Sequence, residues 1–259
     1  MRSIATVLGL GIACAALSSC GHSHNYDPGE AQGSPHGGRS RNPTHGQLTK
    51  PQAIAFAGAV NLRSSDLPGF SASARHNRET EGEKRLGRQL LRCVGAAAEN
   101  GLAEASSGDF ERRGLASVLS VSSNVGVART SAVAAKELSH LRGDHGRKCV
   151  AFYFMQLLKI QRLGSGTVGP VSVQHGTPPA PGTTGGFAWR IIASVTVHLT
   201  RGRLRSVQVP FYIDILGFVY GSAEVTLFSF GTPAPFPAAA QQHLYALLLA
   251  RAKLTGSRG

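Results

Sequence analysis

Acidic residues are scarce in this sequence, and its short motifs include none typical of an enzyme. Asp and Glu number 14 against 27 Lys and Arg, so the formal net charge is +13. No Gly-x-Ser-x-Gly segment of the serine-hydrolase kind occurs. The glycine-rich segments 164–166 and 182–186 lack the Lys-Ser/Thr ending of a phosphate-binding loop. We therefore expect a protein that is not an enzyme, with no catalytic residues and no cofactor.

Long apolar runs are also lacking, apart from one near the N-terminus. Residues 4–17 are apolar or small and follow the positively charged Met1-Arg2. This run is shorter than the ~20 residues that a membrane-spanning helix needs. A charged start, a short apolar segment and small residues before a cleavage point are typical of a secretory signal peptide. We predict a signal peptide over residues 1–19.

The segment Leu17-Ser18-Ser19-Cys20 closes this apolar run. A leucine, two small residues and a cysteine resemble the lipobox of bacterial lipoproteins. The resemblance implies that the Cys20 thiol receives a diacylglycerol and that Cys20 becomes the first residue of the mature chain. With further acylation by palmitate, such an anchor would hold the protein at the outer face of the cell membrane. The alternative is an ordinary signal peptide that is cleaved elsewhere.

Residues 20–48 contain almost no large apolar side chains and are rich in Gly, Ser, Pro, Asn and His. Such a segment buries too little surface to offset the entropy lost on ordering, so we predict a flexible tether. The remaining residues, 49–255, are enough for one domain. His22 and His24 could hold a metal ion loosely, but no Cys or carboxylate cluster completes a site. We therefore predict no metal centre.

Cysteine usage predicts one disulfide. Cys14 leaves with the signal peptide and Cys20 carries the lipid, which leaves Cys93 and Cys149. An even pair in an oxidising compartment is typical of a disulfide bond. The alternative is two buried free thiols.

The last third of the domain has the clearest secondary-structure pattern. Apolar and polar residues alternate over 187–199, 207–215 and 219–227, with a break at Gly217, and a helix is predicted for 238–254. Period-two alternation with short connections predicts a three-strand antiparallel meander with one buried face. Earlier helices are predicted near 51–60 and over 85–97, 130–141 and 149–163, and earlier strands over 70–75, from 108, and over 119–127. The sequence thus predicts an α+β domain of two layers, an antiparallel sheet covered by helices.

The overall layout resembles a known group of proteins. An Asp-Leu-Pro-Gly turn at 66–69, the Cys93 and Cys149 pair, and a closing meander and helix after a lipobox are similar to actinobacterial cell-envelope lipoproteins. Some of these share a PsbP-like fold with the extracellular sensor domains of membrane kinases. The resemblance implies a binding or sensing role in the envelope.

Basic residues in the connection between the first two strands of this meander give a candidate binding surface. Arg201, Arg203 and Arg205 alternate along the chain, and Arg190 lies on the preceding strand. We predict a basic patch that binds anionic lipid, an acidic wall polymer or another envelope protein, but not nucleic acid, which an exported protein rarely meets. A solvated sheet face is the alternative, and an Arg-rich genome would also explain the charge.

The predicted function is therefore that of a membrane-anchored, non-enzymatic binding or sensing lipoprotein. One alternative is a carrier with a pocket for a lipid or small apolar ligand between sheet and helices. A less favoured alternative is an envelope hydrolase. For it, Asp144-His145 in a predicted helix-linking loop, or Asp214 opposite Glu224 on adjacent strands, would supply the reactive groups. The alternative for the two carboxylates is that they are solvated sheet residues, with Asp214 paired to Arg205 or Arg190.

Overall fold

The computed structural model describes residues 48–73, 80–95, 101–160, 167–198 and 206–257. The predicted signal peptide, the lipidation site Cys20 and nearly all of the tether lie outside these residues. So do Arg201, Arg203 and Arg205, three of the four members of the predicted basic patch.

Five α-helices are described, and threonine caps begin three of them. The helices are α1 (Lys50–Val60), α2 (Glu81–Cys93), α3 (Ser131–Arg142), α4 (Asp144–Ile160) and α5 (Ala238–Gly256), with a short 3-10 turn at Ser64–Asp66. Thr49, Thr80 and Thr130 each accept a hydrogen bond from a backbone N–H in the first turn. At Thr80, the Glu83 side chain completes a capping box. This box begins α2 at Glu81, whereas the sequence predicted a helix that starts only at residue 85.

Nine strands form one antiparallel sheet in the described part of the chain. They are β1 (Ser71–Ser73), β2 (Gly101–Ser106), β3 (Asp109–Arg113), β4 (Val118–Ala128), β5 (Thr167–Val168), β6 (Ser172–Gly176), β7 (Gly185–His198), β8 (Ser206–Tyr220) and β9 (Ala223–Thr232). The order is β1-β3-β4-β9-β8-β7-β5. The strands β2 and β3 pair with successive halves of β4, and β6 and β5 with successive halves of β7. The α+β class with an antiparallel sheet is confirmed.

Helices lie against both faces of this sheet, so the domain has three layers rather than the predicted two. On one face, α2, α3 and α4 pack on an apolar cluster that includes Leu90, Phe154, Trp189 and Ile213. On the other face, α1 and α5 pack on a second cluster that includes Leu248. The alternation of polar and apolar residues suggested one solvent-exposed face. The prediction of two layers was wrong because the central strand β9 buries nearly all its side chains, polar and apolar, on both faces.

The predicted strand break at Gly217 is also wrong, because β8 continues through this residue to Tyr220. Gly217 pairs with Phe187 of β7, and the Phe187 ring lies where a Cβ at position 217 would be. A glycine here therefore permits close packing inside a continuous strand. The turn comes later, at Gly221, whose φ of 58° suits a glycine.

Candidate functional site

One region of the sheet lacks a covering helix among the described residues. On the α5 side of the sheet, helix α5 packs on β9 and on the end of β8, and the buried cluster there contains no residue from β5, β6 or β7. We call the uncovered region the open sheet face; its members are Ser172, Gln174, Ala188, Arg190, Ile192, Ser194, Thr196, Gln208, Pro210, Tyr212 and Asp214. Apart from the buried Asp214, these residues are half-buried or exposed. The open sheet face is thus a shallow, mostly polar surface.

Arg190 and Asp214 form a bidentate ion pair on the open sheet face, at the end next to the part that α5 covers. Arg190 donates from Nε to Asp214 Oδ1 at 2.6 Å and from Nη2 to Oδ2 at 3.0 Å. The Asp214 side chain is 5% exposed, whereas that of Arg190 is 39% exposed. The carboxylate raises the pKa of Arg190, mainly through these hydrogen bonds. Arg190 is therefore held in one orientation, and its charge is locally neutralised.

This pairing changes the predicted basic patch. Arg190 by itself adds little net positive charge, because its partner is a buried carboxylate. Arg201, Arg203 and Arg205 lie in the connection between β7 and β8, so excess positive charge must come from them. Elsewhere on the open sheet face, nearer this connection, Gln208 donates from Nε2 to Ser194 Oγ at 2.8 Å. Arg190 and its described neighbours on the open sheet face therefore form a polar surface, not a strongly basic one.

Asp214 and Glu224 do not form the carboxylate pair that the sequence suggested. Asp214 of β8 pairs in register with Ser229, whereas Glu224 of β9 pairs with Val219. Positions 214 and 219 differ by an odd number, so their side chains point to opposite faces of the sheet. Asp214 lies on the α5 side and Glu224 on the α3 side, which removes this basis for a hydrolase.

Glu224 instead belongs to an acidic group between α3 and the sheet. Burial, and next the nearby carboxylate of Glu137, raise the pKa of Glu224 to about 7, although Thr226 Oγ1 donates a hydrogen bond to it. Burial also raises the pKa of Glu137. Gly126 lies between Glu224 and Glu104 in the strand register, and a Cβ there would meet no atom within 4 Å. The glycine leaves room for these side chains, and the sequence did not reveal the group because its members come from three separate elements.

Asp144 and His145 lie in the first turn of α4, not in the loop that the sequence predicted. Asp144 forms an ion pair with Arg147 at 3.4 Å, and His145 contacts Cys93. The first contact lies within one helix turn, and the second joins α4 to the end of α2.

The structure contains the disulfide between Cys93 and Cys149, with a Cα–Cα distance of 5.8 Å. Cys93 ends α2 and is exposed, while Cys149 lies in α4 and is buried. Two histidines flank this end of α2. The His145 Nε2 atom lies 3.0 Å from the Cys93 carbonyl oxygen, and the His140 Nδ1 atom lies 3.0 Å from the Val94 carbonyl oxygen. These contacts satisfy carbonyls that a helix end leaves without partners.

The space between the sheet and helices α2 to α4, where the carrier alternative would need a pocket, holds closely packed aromatic side chains. Phe187 and Trp189 have ring centroids 5.3 Å apart, and those of Tyr153 and Phe154 are 5.1 Å apart. All four residues are at most 5% exposed. An apolar ligand bound there would have to displace these side chains.

Comparisons with known proteins give no family assignment. Neither a protein-family model nor a curated protein matches the chain. A crystal structure of the extracellular domain of PknH from Mycobacterium tuberculosis aligns with 81% of this chain and 99% of that domain, at 8% sequence identity and a TM-score of 0.40. A similarity of this size does not establish a common fold or function. Within the described residues, no helix is both long and apolar enough to span a membrane.

Proposed function

We propose that this chain is a lipoprotein of the bacterial envelope, anchored through Cys20 at the outer face of the cell membrane, whose domain binds or senses a partner without catalysing a reaction. The lipobox at 17–20 and the low-complexity segment after it support the anchor and tether. We also propose that the domain is related to the PsbP-like envelope lipoproteins and kinase sensor domains. This proposal rests on the layout of the sequence alone.

The observation that favours a binding role is the open sheet face beside an arginine-rich connection. Arg190 is held by Asp214 on this face, and a bidentate pair uses two of the five guanidinium N–H donors. The connection from β7 to β8 carries Arg201, Arg203 and Arg205. A shallow polar face next to three cations is suited to an extended anionic surface, such as acidic lipid head groups or an acidic wall polymer.

Vesicle flotation tests this proposal most simply. The chain starting at residue 21 carries neither leader nor lipid, so its own surface must account for binding. We expect it to float with phosphatidylglycerol vesicles, not with phosphatidylcholine vesicles, and to lose binding at high salt as charges are screened. With about 1 kcal/mol per arginine near an anionic surface, changing Arg201, Arg203 and Arg205 to Gln should weaken binding by about 100-fold.

A matched control removes the same charge elsewhere. Arg85, Arg88 and Arg92 are exposed on α2, which lies on the other face of the sheet. Changing these three to Gln lowers the net charge equally and should leave vesicle binding within a few-fold of the parent. Equal losses from both triple variants would show a non-specific charge effect and reject the patch. Arg190 is left intact, because its removal would leave the buried Asp214 unpaired.

A further inference from the structure

The exposed end of the disulfide lies in a cluster of three side chains that can ligate metals. Within the described residues, Cys93, Cys149 and His145 each offer a ligand atom, and these atoms all lie within 4.8 Å of one another. His145 Nε2 is 4.0 Å from Cys93 Sγ. Cys93 and His145 are exposed, so this side of the cluster is open to solvent. The three positions come from α2 and α4, and residues 93 and 145 are 52 apart in sequence, which explains why the sequence predicted no metal site.

The positions of these side chains do not depend on the disulfide alone. Helices α2 and α4 also meet through apolar residues of one buried cluster, including Leu86 and Leu90 on α2 and Val150 and Phe154 on α4. His145 is additionally held by its contact with the Cys93 carbonyl oxygen. Cleavage of the sulfur–sulfur bond would therefore leave two thiols and an imidazole facing each other on packed helices.

We propose that reduction of the Cys93–Cys149 bond creates a binding site for one thiophilic metal ion, with Zn²⁺ as the reference ion. Two thiolates and one imidazole leave the fourth tetrahedral position for water, and thiolates favour Zn²⁺ or Cu⁺ over hard cations. The oxidised protein has no thiolate to offer, so metal binding at this site is gated by the redox state. The proposal is independent of the lipid anchor and of the open sheet face.

A dithiol can reduce the Cys93–Cys149 bond by thiol–disulfide exchange. A dithiol attacks the exposed Cys93 sulfur, the Cys149 sulfur leaves and takes up a proton, and the dithiol closes to a disulfide as Cys93 is released as a thiol. Zn²⁺ then displaces the protons of both thiols. His145 exchanges its hydrogen bond at Nε2 for the metal while its other ring nitrogen carries the proton. Binding should therefore release two protons per ion, and it should weaken as the pH falls.

The test compares Zn²⁺ binding by the reduced and oxidised forms of one protein. The full chain carries Cys14→Ser and Cys20→Ser, so Cys93 and Cys149 are its only cysteines. Titration against a chromophoric chelator, without oxygen, should show one more bound Zn²⁺ in the reduced form than in the oxidised form. Histidines in the tether bind equally in both forms and cancel. With Co²⁺ in place of Zn²⁺, the reduced form should show thiolate-to-metal charge-transfer absorption.

Two histidine variants distinguish the proposed metal ligand, His145, from His140, a histidine that only lies nearby. His145→Ala should weaken Zn²⁺ binding by the reduced form at least about tenfold, because one of three ligands is lost. His140→Ala should leave it unchanged, although His140 contacts the same helix end. Both variants keep the disulfide during purification, so circular dichroism of the oxidised forms checks their folding. Equal Zn²⁺ binding by the reduced and oxidised forms, or equal affinity of the His145→Ala variant and the parent, would overturn the proposal.

Discussion

The pH dependence of stability should change when Glu224 is replaced by Gln. Burial, with the nearby carboxylate of Glu137, raises the pKa of Glu224 from 4.5 to about 7. The folded state therefore holds this proton more tightly than the unfolded state, and the free energy of unfolding falls as the pH rises from about 4.5 to about 7. The difference between the two pKa values corresponds to at most about 3 kcal/mol, since part of the side chain reaches solvent.

Urea unfolding of the parent and the Glu224→Gln variant from pH 4.5 to pH 8 measures this effect. We expect the variant to be more stable than the parent at pH 8 by about 1 to 3 kcal/mol, and to lose most of the decline between pH 4.5 and pH 7. As a control, Glu81→Gln removes a carboxylate that is 82% exposed and should leave that decline in place. A Glu224→Gln variant that keeps the parent's slope, or is less stable at pH 8, would show that Glu224 is not held protonated by its surroundings.

Three further changes should reduce stability by different mechanisms. Replacing Cys93 and Cys149 by Ser opens a loop with a sequence separation of 56, and chain entropy predicts a loss of about 4 kcal/mol in urea unfolding. Arg251→Met leaves the nearly buried Asp66 without its partner at 2.7 Å and should cost about 3 kcal/mol at pH 7. Because hydrogen bonds lower the pKa of Asp66 despite burial, this loss should shrink as the pH falls and the carboxyl protonates. Leu248→Ala, at a fully buried position, should lower the free energy of unfolding by about 2 to 5 kcal/mol, whereas Ala250→Gly, at an exposed site of the same helix, should cost about 1 kcal/mol. Losses of similar size at positions 248 and 250 would contradict the packing of α5.

The C-terminal meander could be predicted because its alternation is strict. Phe187, Trp189 and Ile191 occur at every second position, and the structure places all three on one buried face. The pairing of β7, β8 and β9 follows this order along the chain. Strong period-two patterning and short connections are the features that make local sequence sufficient for such a prediction.

Elements with weak local patterns could not be predicted. The strand β2 has one large apolar side chain, Leu102, among glycine, alanine, glutamate and serine, and β5 and β6 have two and five residues. These strands form because β4 and β7 offer free edges for pairing, which is long-range information. Likewise, the start of α2 was missed because charged residues dominate 79–87 and hide the apolar pattern of a helix, although the capping box of Thr80 and Glu83 favours a helix start.

Most features of the candidate sites could not be predicted, because they arise from contacts between different strands and helices. The alternation of Arg201, Arg203 and Arg205 is visible in the sequence, but the choice of Arg190 rather than Arg205 as the partner of Asp214 needed the strand register. The register also placed Glu224 on the opposite face from Asp214. The approach of His145 to Cys93 depended on how α4 packs against α2, which no local pattern specifies.

The intact mass of the protein extracted from membranes of an exporting host tests the proposed anchoring most directly. We expect a chain that starts at Cys20 and carries a diacylglycerol and a further acyl group, with two hydrogens fewer than the reduced chain. A Cys20→Ala variant should lack this lipid mass and keep its leader. A mass for a chain cleaved at another residue, or for one that starts at Cys20 without lipid, would show that Cys20 does not anchor the protein through a lipid.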